Sequence, residues 1–231
     1  MNIAIIAAAG AGTRMASGAR PRHRPKQFLL LAGTPVIFHT LKPFQECDSI
    51  HEVIVVLPAE ESAGFLSLAG KFGVRKLARV VPGGATRADS VKRGLMAMRS
   101  ATAEIVAVHD GVRPFVTIEE IDATIAAAKS DGAAILVAPV TDTIKQVDDE
   151  AVVKTLDRGT LRRALTPQCF RYELLREAYQ HADVNDPSLT DESALVEQLG
   201  KRVSIVEGSA RNIKITTAED LAIAEAILAA D

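Results

Sequence analysis

Short apolar runs alternate with segments of helical periodicity along most of the chain, and this alternation is the strongest constraint on its fold. The runs at Ile3–Ala7, Glu52–Leu57 and Glu104–Val108 are almost continuous in Val, Ile, Leu and Ala. Strands have this composition when helices cover both faces of a parallel sheet. We therefore predict an α/β fold with a mostly parallel sheet flanked by helices.

Helix starts are predicted from turn and capping residues. Thr86-x-x-Asp89 and Thr117-x-x-Glu120 have the spacing of capping boxes. Thr34-Pro35 places proline where a helix can begin, and we predict a helix from there to about Phe44.

A different pattern occupies residues 138–160. Thr143–Val147 and Val152–Leu156 are strand-like runs joined by a polar connection, which is typical of a β-hairpin. No helical pattern covers the hairpin, so we predict a projecting arm. The 231 residues contain no repeat or flexible linker, and this length suits one large domain. We predict one domain over 1–231, with a β-arm at 138–160 inside it.

Charge and composition exclude several classes of protein. The net charge of −2 provides no basic field for nucleic acid, and 4% aromatic residues without tryptophan leave little for base stacking. No apolar run approaches the roughly 20 residues of a membrane span, and the amino terminus lacks the basic start of a signal peptide. Cys47 and Cys169 follow no metal-ligand spacing. We expect a cytoplasmic protein with reduced thiols that binds neither nucleic acid nor membrane.

A glycine turn, Ala8-Ala9-Gly10-Ala11-Gly12, follows the first predicted strand. Consecutive backbone N–H groups in such a turn can bind phosphate oxygens, although a plain strand-to-loop turn is the alternative. It is not a dinucleotide fingerprint, because Met15 stands where the third glycine belongs.

Five cations and no acid follow this turn between positions 14 and 26: Arg14, Arg20, Arg22, Arg24 and Lys26. A solvated basic loop is the alternative interpretation. The position beside a glycine turn at the carboxyl edge of a parallel sheet favours a polyphosphate site.

Two further motifs follow later strands. Gly83-Gly84 precedes the helix predicted at Thr86, where a plain turn is the alternative to a binding loop. Asp110 ends the strand before Gly111 and can bind a ribose hydroxyl, a metal-bound phosphate or a substrate hydroxyl; pairing with Arg113 is an equal alternative. His109 is expected to pack beside the strand end and receives no catalytic role.

In their order along the chain, these motifs resemble the 2-C-methyl-D-erythritol 4-phosphate cytidylyltransferases, enzymes of the non-mevalonate isoprenoid pathway. The resemblance covers nearly the whole length. Nine blocks carry it: Ala8-Ala9-Gly10-x-Gly12-x-Arg14-Met15, Pro25-Lys26-Gln27-Phe28, Gly83-Gly84-x-x-Arg87-x-x-Ser90-Val91, Val108-His109-Asp110-x-x-Arg113-Pro114, Asp142-Thr143-Ile144-Lys145, Asp157-Arg158, Ala164-Leu165-Thr166-Pro167-Gln168, Leu189-Thr190-Asp191-Glu192 and Asn212-Ile213-Lys214-Ile215-Thr216.

The resemblance implies a Rossmann-like nucleotidyltransferase domain that transfers CMP from CTP to 2-C-methyl-D-erythritol 4-phosphate by in-line attack. It implies a homodimer in which the arm of one subunit helps to complete its neighbour's site. It also implies Mg²⁺ bridging the CTP phosphates rather than a metal site built by the protein. The catalytic residues it implies are Arg14, Lys26, Arg158 and Lys214. The CTP-binding residues it implies are Ala8, Ala9, Gly10, Gly12, Gly84, Ser90, Asp110 and Gly111. The acceptor-binding residues it implies are Asp110, Arg113, Thr143, Arg158, Thr166, Thr190 and Lys214.

Two alternative functions stay open at this point. Ribitol 5-phosphate cytidylyltransferases carry similar glycine, Pro-Lys-Gln and Asn-Ile-Lys blocks, whereas Arg158, the Ala164–Gln168 block and Thr190 favour the erythritol substrate. The other alternative is a non-catalytic CTP-binding module. Retention of Arg14, Lys26 and Lys214 argues against it, because binding alone does not require cations that stabilise a transition state.

Overall fold

The computed structural model describes residues 1–10, 25–98, 103–186 and 188–230. Its strands are β1 (Asn2–Ala7), β2 (Leu30–Leu31), β3 (Thr34–Pro35), β4 (Glu52–Leu57), β5 (Leu77–Pro82), β6 (Ile105–Asp110), β7 (Ala133–Pro139), β8 (Lys145–Asp148), β9 (Ala151–Thr155), β10 (Arg162–Arg171) and β11 (Ser204–Glu207). Its helices are α1 (Val36–Glu46), α2 (Ala59–Lys71), α3 (Arg87–Met96), α4 (Ile118–Asp131), α5 (Tyr172–His181), α6 (Glu192–Gln198) and α7 (Ala218–Ala229).

Seven strands form the central sheet, in the order β11-β7-β10-β6-β1-β4-β5. β10 runs antiparallel to both of its neighbours, and the other paired strands of this sheet are parallel. Alternate residues of β1 enter two different cores: Ile6 packs in the cluster that contains α1, α2 and α4, and Ile5 packs in the cluster that contains α3, α5 and α6. The predicted α/β class with a mostly parallel sheet is confirmed.

β10 is a strand of the central sheet that the sequence pattern did not predict. Pro167 interrupts its apolar run, and proline in a strand usually indicates an edge or a bulge. Here the strand is central, and its register against β7 shifts between Ala164 and Gln168. This irregularity accommodates the proline, because the bulged residues are not required to pair in the ladder.

The predicted helix starts have different outcomes. Thr117 and Glu120 form the complete capping box before α4. Thr86 accepts from the Asp89 N–H as predicted, but the Asp89 carboxylate accepts from Ala85 rather than from Thr86. The helix predicted from Thr34-Pro35 to about Phe44 is present as α1, with Pro35 as its N-cap residue, but the start predicted at Thr34-Pro35 is wrong. These residues form β3 and pair with β2 across a tight turn in which Ala32 and Gly33 both have positive φ (47° and 81°), and α1 begins at Val36.

The predicted hairpin arm is present as β8 and β9, which pair antiparallel in a separate two-stranded sheet. Its valines are exposed: Val147 and Val152 are each 61% accessible. Within the described ranges, no helix is both long enough and apolar enough to cross a membrane.

Candidate active site

A cavity of about 330 Å³ opens at the carboxyl edge of the sheet, where β1, β5 and β6 end. Segments from three of the predicted motifs line it: residues 7–10, Lys26 with Gln27, and residues 84–87 with Ser90. Asp110, Val112 and Lys214 complete the lining. The fold therefore brings residues separated by up to about two hundred positions to one edge, as parallel sheets do at their ligand sites.

The turns after β1 and β5 are in direct contact. A Cβ atom on Gly83 would lie 2.2 Å from the Ala9 Cβ, so only glycine fits there without displacing the neighbouring turn. The Ser90 hydroxyl accepts from the Gly84 N–H (3.0 Å) and donates to the Thr86 carbonyl (2.8 Å). These contacts fix the backbone of both turns at the wall of the cavity.

Lys26 reaches the cavity because Gln27 anchors the short 3₁₀ turn that carries both residues. The buried Gln27 amide Nε2 donates to the Ala8 carbonyl at 2.6 Å. Phe28, the last residue of the turn, is buried in the apolar core and packs edge-on against Phe65. The lysine is thus attached to the glycine turn on one side and to the core on the other.

Asp110 is the centre of a buried cluster of charges. Its Oδ1 accepts from Arg87 Nε (3.1 Å), and its Oδ2 accepts from Arg113 Nε (3.1 Å) and Lys214 Nζ (2.9 Å). Burial alone would raise the pKa of Asp110, but the three positive charges outweigh it and hold that pKa well below the ordinary value. The carboxylate is therefore ionised at neutral pH and orients Lys214 at the cavity.

Arg87 connects this cluster to a second buried carboxylate. Its Nη1 donates to both oxygens of Glu192, at 2.8 and 2.9 Å, and the Tyr179 hydroxyl donates to the same carboxylate at 3.1 Å. Glu192 is almost completely buried, and its backbone N–H donates to the Gln168 side chain. The wall of the cavity is consequently tied to the start of α6.

Thr166 supports Asp110 from the side of β10. Its hydroxyl accepts from the Asp110 N–H at 3.2 Å and lies 2.9 Å from His109 Nδ1. His109 Nε2 lies 3.1 Å from the Arg113 carbonyl, which only accepts, so Nε2 carries the proton and Nδ1 accepts from Thr166. Burial lowers the pKa of His109 to about 4, which keeps the ring neutral. The predicted packing of His109 beside the strand end is confirmed.

The predicted site residues fall into four groups by location. Those that line the cavity are Ala8, Ala9, Gly10, Lys26, Gly84, Ser90, Asp110 and Lys214. Those that support it from behind are Arg113 and Thr166, through Asp110, and Gly111, where an added Cβ would lie 2.5 Å from the Ala8 Cβ. Gly12 and Arg14 lie outside the described residues, as do Arg20, Arg22 and Arg24.

Three predicted acceptor residues do not line the cavity of their own chain: Thr143, Arg158 and Thr190 are all exposed. Thr143 lies just before β8, and Arg158 lies after β9, where its guanidinium donates to the Thr141 carbonyl at 2.7 Å. The first two therefore lie at the base of the arm.

Sequence reasoning assigned no role to Gln27, Arg87 or Glu192. All three stand in the blocks quoted above, and each has a polar or charged side chain that is buried or lines the cavity. Their partners are 13 to 105 residues away in sequence, so spacing alone gives no indication of these contacts.

Comparison with known proteins decides the family. The family model of 2-C-methyl-D-erythritol 4-phosphate cytidylyltransferase matches residues 2–230. The chain belongs to this family. It is therefore an enzyme, a cytidylyltransferase that uses CTP and acts on 2-C-methyl-D-erythritol 4-phosphate.

Individual relatives agree with this membership over nearly full length. The chain is 44% identical to the 2-C-methyl-D-erythritol 4-phosphate cytidylyltransferase of Pelotomaculum thermopropionicum, covering 98% of this chain and 94% of the relative. Its structure is similar to that of the 4-diphosphocytidyl-2C-methyl-D-erythritol synthase of Anaerococcus prevotii, with a TM-score of 0.85, 32% identity, and 99% and 98% coverage. The Thermus thermophilus cytidylyltransferase matches with a TM-score of 0.77, 35% identity and 97% coverage of both chains.

Proposed function

We propose that the cavity between the two glycine turns is where the chain transfers CMP from CTP to 2-C-methyl-D-erythritol 4-phosphate, with pyrophosphate as the second product. The observation that carries this proposal is that Lys26 and Lys214 line the same cavity as residues 8–10 and Gly84. Two cations beside exposed backbone turns provide what a triphosphate and a phosphate acceptor both require.

CTP binding is assigned to the two turns. The backbone N–H groups of Ala9 and Gly10 bind phosphate oxygens, since the Ala8 N–H already donates to the Val56 carbonyl (2.9 Å), and the loop held by Ser90 presents fixed backbone groups at Gly84 to the edge of the cytosine. The close contact between Gly83 and Ala9 restricts the space between the turns. We therefore expect a pyrimidine to fit there and a purine to be excluded.

The chemical step needs no side-chain nucleophile. A phosphate oxygen of the acceptor attacks the α-phosphorus of CTP, the bond from that phosphorus to the bridging oxygen of the pyrophosphate breaks, and pyrophosphate leaves. Lys26 is assigned to the charge that develops at the α-phosphate, together with Arg14. Lys214, held by Asp110 at 2.9 Å, positions the acceptor phosphate for in-line attack.

The charges of the cluster suit two anionic substrates. Arg87, Arg113 and Lys214 carry three positive charges, and Asp110 and Glu192 carry two negative ones, so these five groups leave one net positive charge at the wall. A positive wall attracts the substrates and stabilises the transition state better than a neutral one.

Mg²⁺ is proposed to bind with the nucleotide. The ion prefers carboxylate and phosphate oxygens. Among the described residues that line the cavity Asp110 is the carboxylate, and both of its oxygens already accept from Arg or Lys. The phosphates of CTP are therefore expected to supply its ligands, and the ion would neutralise part of their charge.

The homodimer is also a proposal, and so is the predicted division into one domain with an arm at 138–160. The exposed valines of the arm favour contact with another chain, because an uncovered two-stranded sheet exposes apolar side chains and unpaired edges. Thr143 and Arg158 lie at the base of this arm, outside their own cavity. In a dimer, the arm would bring them to the neighbour's cavity. The cytoplasmic location stays a prediction.

A pyrophosphate-release assay with a panel of substrates tests the proposed function. We expect turnover with CTP and 2-C-methyl-D-erythritol 4-phosphate, and none with CTP alone. Equal turnover with ribitol 5-phosphate would favour the alternative acceptor, and equal turnover with ATP or GTP would refute the assigned base site. CTP binding in calorimetry without any pyrophosphate release would indicate a non-catalytic module.

A further inference from the structure

Arg87 is held on two sides by buried carboxylates. Its Nε donates to Asp110 Oδ1 at 3.1 Å, and its Nη1 donates to both oxygens of Glu192. The flat guanidinium spans the gap between β6 and α6 with several of its donors at once, which a lysine cannot do. Arg87 itself lines the cavity, although its charge is already paired.

This bridge determines how Asp110 presents its second oxygen. Arg87 engages Oδ1, so Oδ2 is directed to Arg113 and Lys214. Among the described residues, Arg87 is the group that holds Oδ1, so without it the carboxylate could rotate about its terminal torsion, which has broad minima. The Lys214 ammonium would then lose a fixed partner.

Glu192 fixes Arg87 in turn. Its carboxylate accepts from Tyr179 as well as from Arg87, and the N–H groups of Glu192 and Ser193 donate to the same Gln168 oxygen, each at 3.1 Å. A second contact joins the same regions, because the Thr86 hydroxyl donates to the Val184 carbonyl at 2.7 Å. The loop beside the proposed base site and the chain that leads into α6 are therefore attached at two points.

We propose that Arg87 and Glu192 are positioning residues, which act through Asp110 to hold Lys214 where it meets the acceptor phosphate. This inference rests on the role given to Lys214 under the proposed function. The competing view is that the Arg87–Glu192 pair is a buried ion pair that only stabilises the fold.

A charge-balanced double variant separates the two views. Arg87→Met with Glu192→Gln removes one positive and one negative charge, so the net charge of the wall does not change. Replacing both partners of a buried pair is often close to neutral for stability, whereas removing one leaves an uncompensated charge. We expect a thermal midpoint near the wild-type value and a CTP dissociation constant within about threefold of it. We expect kcat/KM for the acceptor to fall by about 10²-fold, as small misplacements of reacting groups can cost.

The exposed pair Arg176–Glu173 on α5 provides the matched control. Arg176→Met with Glu173→Gln makes the same chemical change on the surface and should leave the kinetics unchanged. Wild-type kcat/KM for the acceptor in the Arg87/Glu192 double variant would overturn the inference. If that variant does not fold, Glu192→Gln alone takes its place, with an expected loss of at least threefold in the same parameter.

Combination with Lys214→Ala tests the route of the effect. If Arg87 and Glu192 act through Lys214, replacing them in the Lys214→Ala background should lower kcat/KM for the acceptor little further. If the triple variant instead shows the product of the two separate fold-losses, the inference is refuted. Normal acceptor kinetics in Lys214→Ala alone would refute the role of Lys214, and the inference with it. Impaired kinetics in Lys214→Ala with normal kinetics in the Arg87/Glu192 variant would refute the inference only.

Discussion

Replacing Asp110 with asparagine removes the carboxylate that three cations share. The variant keeps the size of the side chain but loses its charge. At one of the two former oxygen positions it also carries an amide NH₂ group, which cannot accept a hydrogen bond from the Arg or Lys donors there. Arg113 and Lys214 would then lie close together without the anion, and of the two described carboxylates that pair with Arg87, Glu192 would remain. Removing one partner of a buried ion pair costs about 3–5 kcal/mol. Because the Lys214 side chain is 33% exposed, we expect a value near the lower limit, about 3 kcal/mol at pH 7.

The sign of the pH dependence follows from the pKa of Asp110. Although burial raises it, the charges of Arg87, Lys214 and Arg113 lower it further, so the pKa is lower in the folded than in the unfolded chain. The ionised group therefore stabilises the fold fully above the unfolded pKa of about 4 and loses this effect as the pH falls towards the folded pKa. The difference in unfolding free energy between wild type and Asp110→Asn should be constant from pH 7 to pH 5 and shrink below pH 4.

Urea unfolding at a fixed protein concentration measures this difference. The chain has no tryptophan, so far-ultraviolet circular dichroism is the suitable signal. Glu207→Gln, which breaks the exposed pair with Arg162, serves as the control and should cost at most about 1 kcal/mol. A loss below about 1 kcal/mol for Asp110→Asn at pH 7, or a difference that persists unchanged at pH 3.5, would refute the reasoning.

Three further predictions concern other parts of the molecule. Lys26→Ala should lower kcat roughly 10²–10³-fold with a smaller change in CTP affinity, and Lys26→Arg should recover little; steady-state kinetics with an unchanged kcat would contradict this. Deleting Thr143–Leu156 should give a monomer with little activity, and light scattering that shows a wild-type monomer at micromolar concentration would contradict the proposed dimer. Because burial lowers the pKa of His109 to about 4, the stability of the wild type should fall as the pH drops from about 6.5 to about 4. The thermal midpoint of His109→Gln should fall less steeply over the same range. An equal decrease of the midpoint in the two proteins would contradict the buried, neutral state of His109.

Local patterns in the sequence predicted most of the fold. The capping box at Thr117 and the continuous apolar run of Glu52–Leu57 depend on neighbouring residues, so they can be read without tertiary information. The start of α1 was predicted too early at Thr34-Pro35. The positive φ angles of Ala32 and Gly33 form a hairpin turn, and Thr34 and Pro35 lie in the short strand that follows this turn. β10 was missed because its proline is accommodated by an irregular register against β7, which only the paired strands reveal.

The sequence predicted the motifs that line the site, but not the hydrogen bonds and ion pairs that connect their side chains. The glycine turns and Lys26 were found because short blocks carry their chemistry. The contact between Arg87 and Glu192 joins residues 105 positions apart, and no local pattern indicates which charges will be buried together. Whether Thr143 and Arg158 reach a cavity depends on the proposed dimer, which the sequence of one chain does not describe.

The stereochemical course at phosphorus tests the central claim most directly: the acceptor phosphate attacks CTP itself, and cations rather than a side-chain nucleophile promote the transfer. Turnover of CTP with one sulfur of known configuration at the α-phosphorus, followed by ³¹P nuclear magnetic resonance of the product, measures it. A single in-line displacement inverts the configuration, and inversion is the result that we predict. Retention would mean two displacements through a covalent nucleotidyl-enzyme, and it would contradict the proposed mechanism.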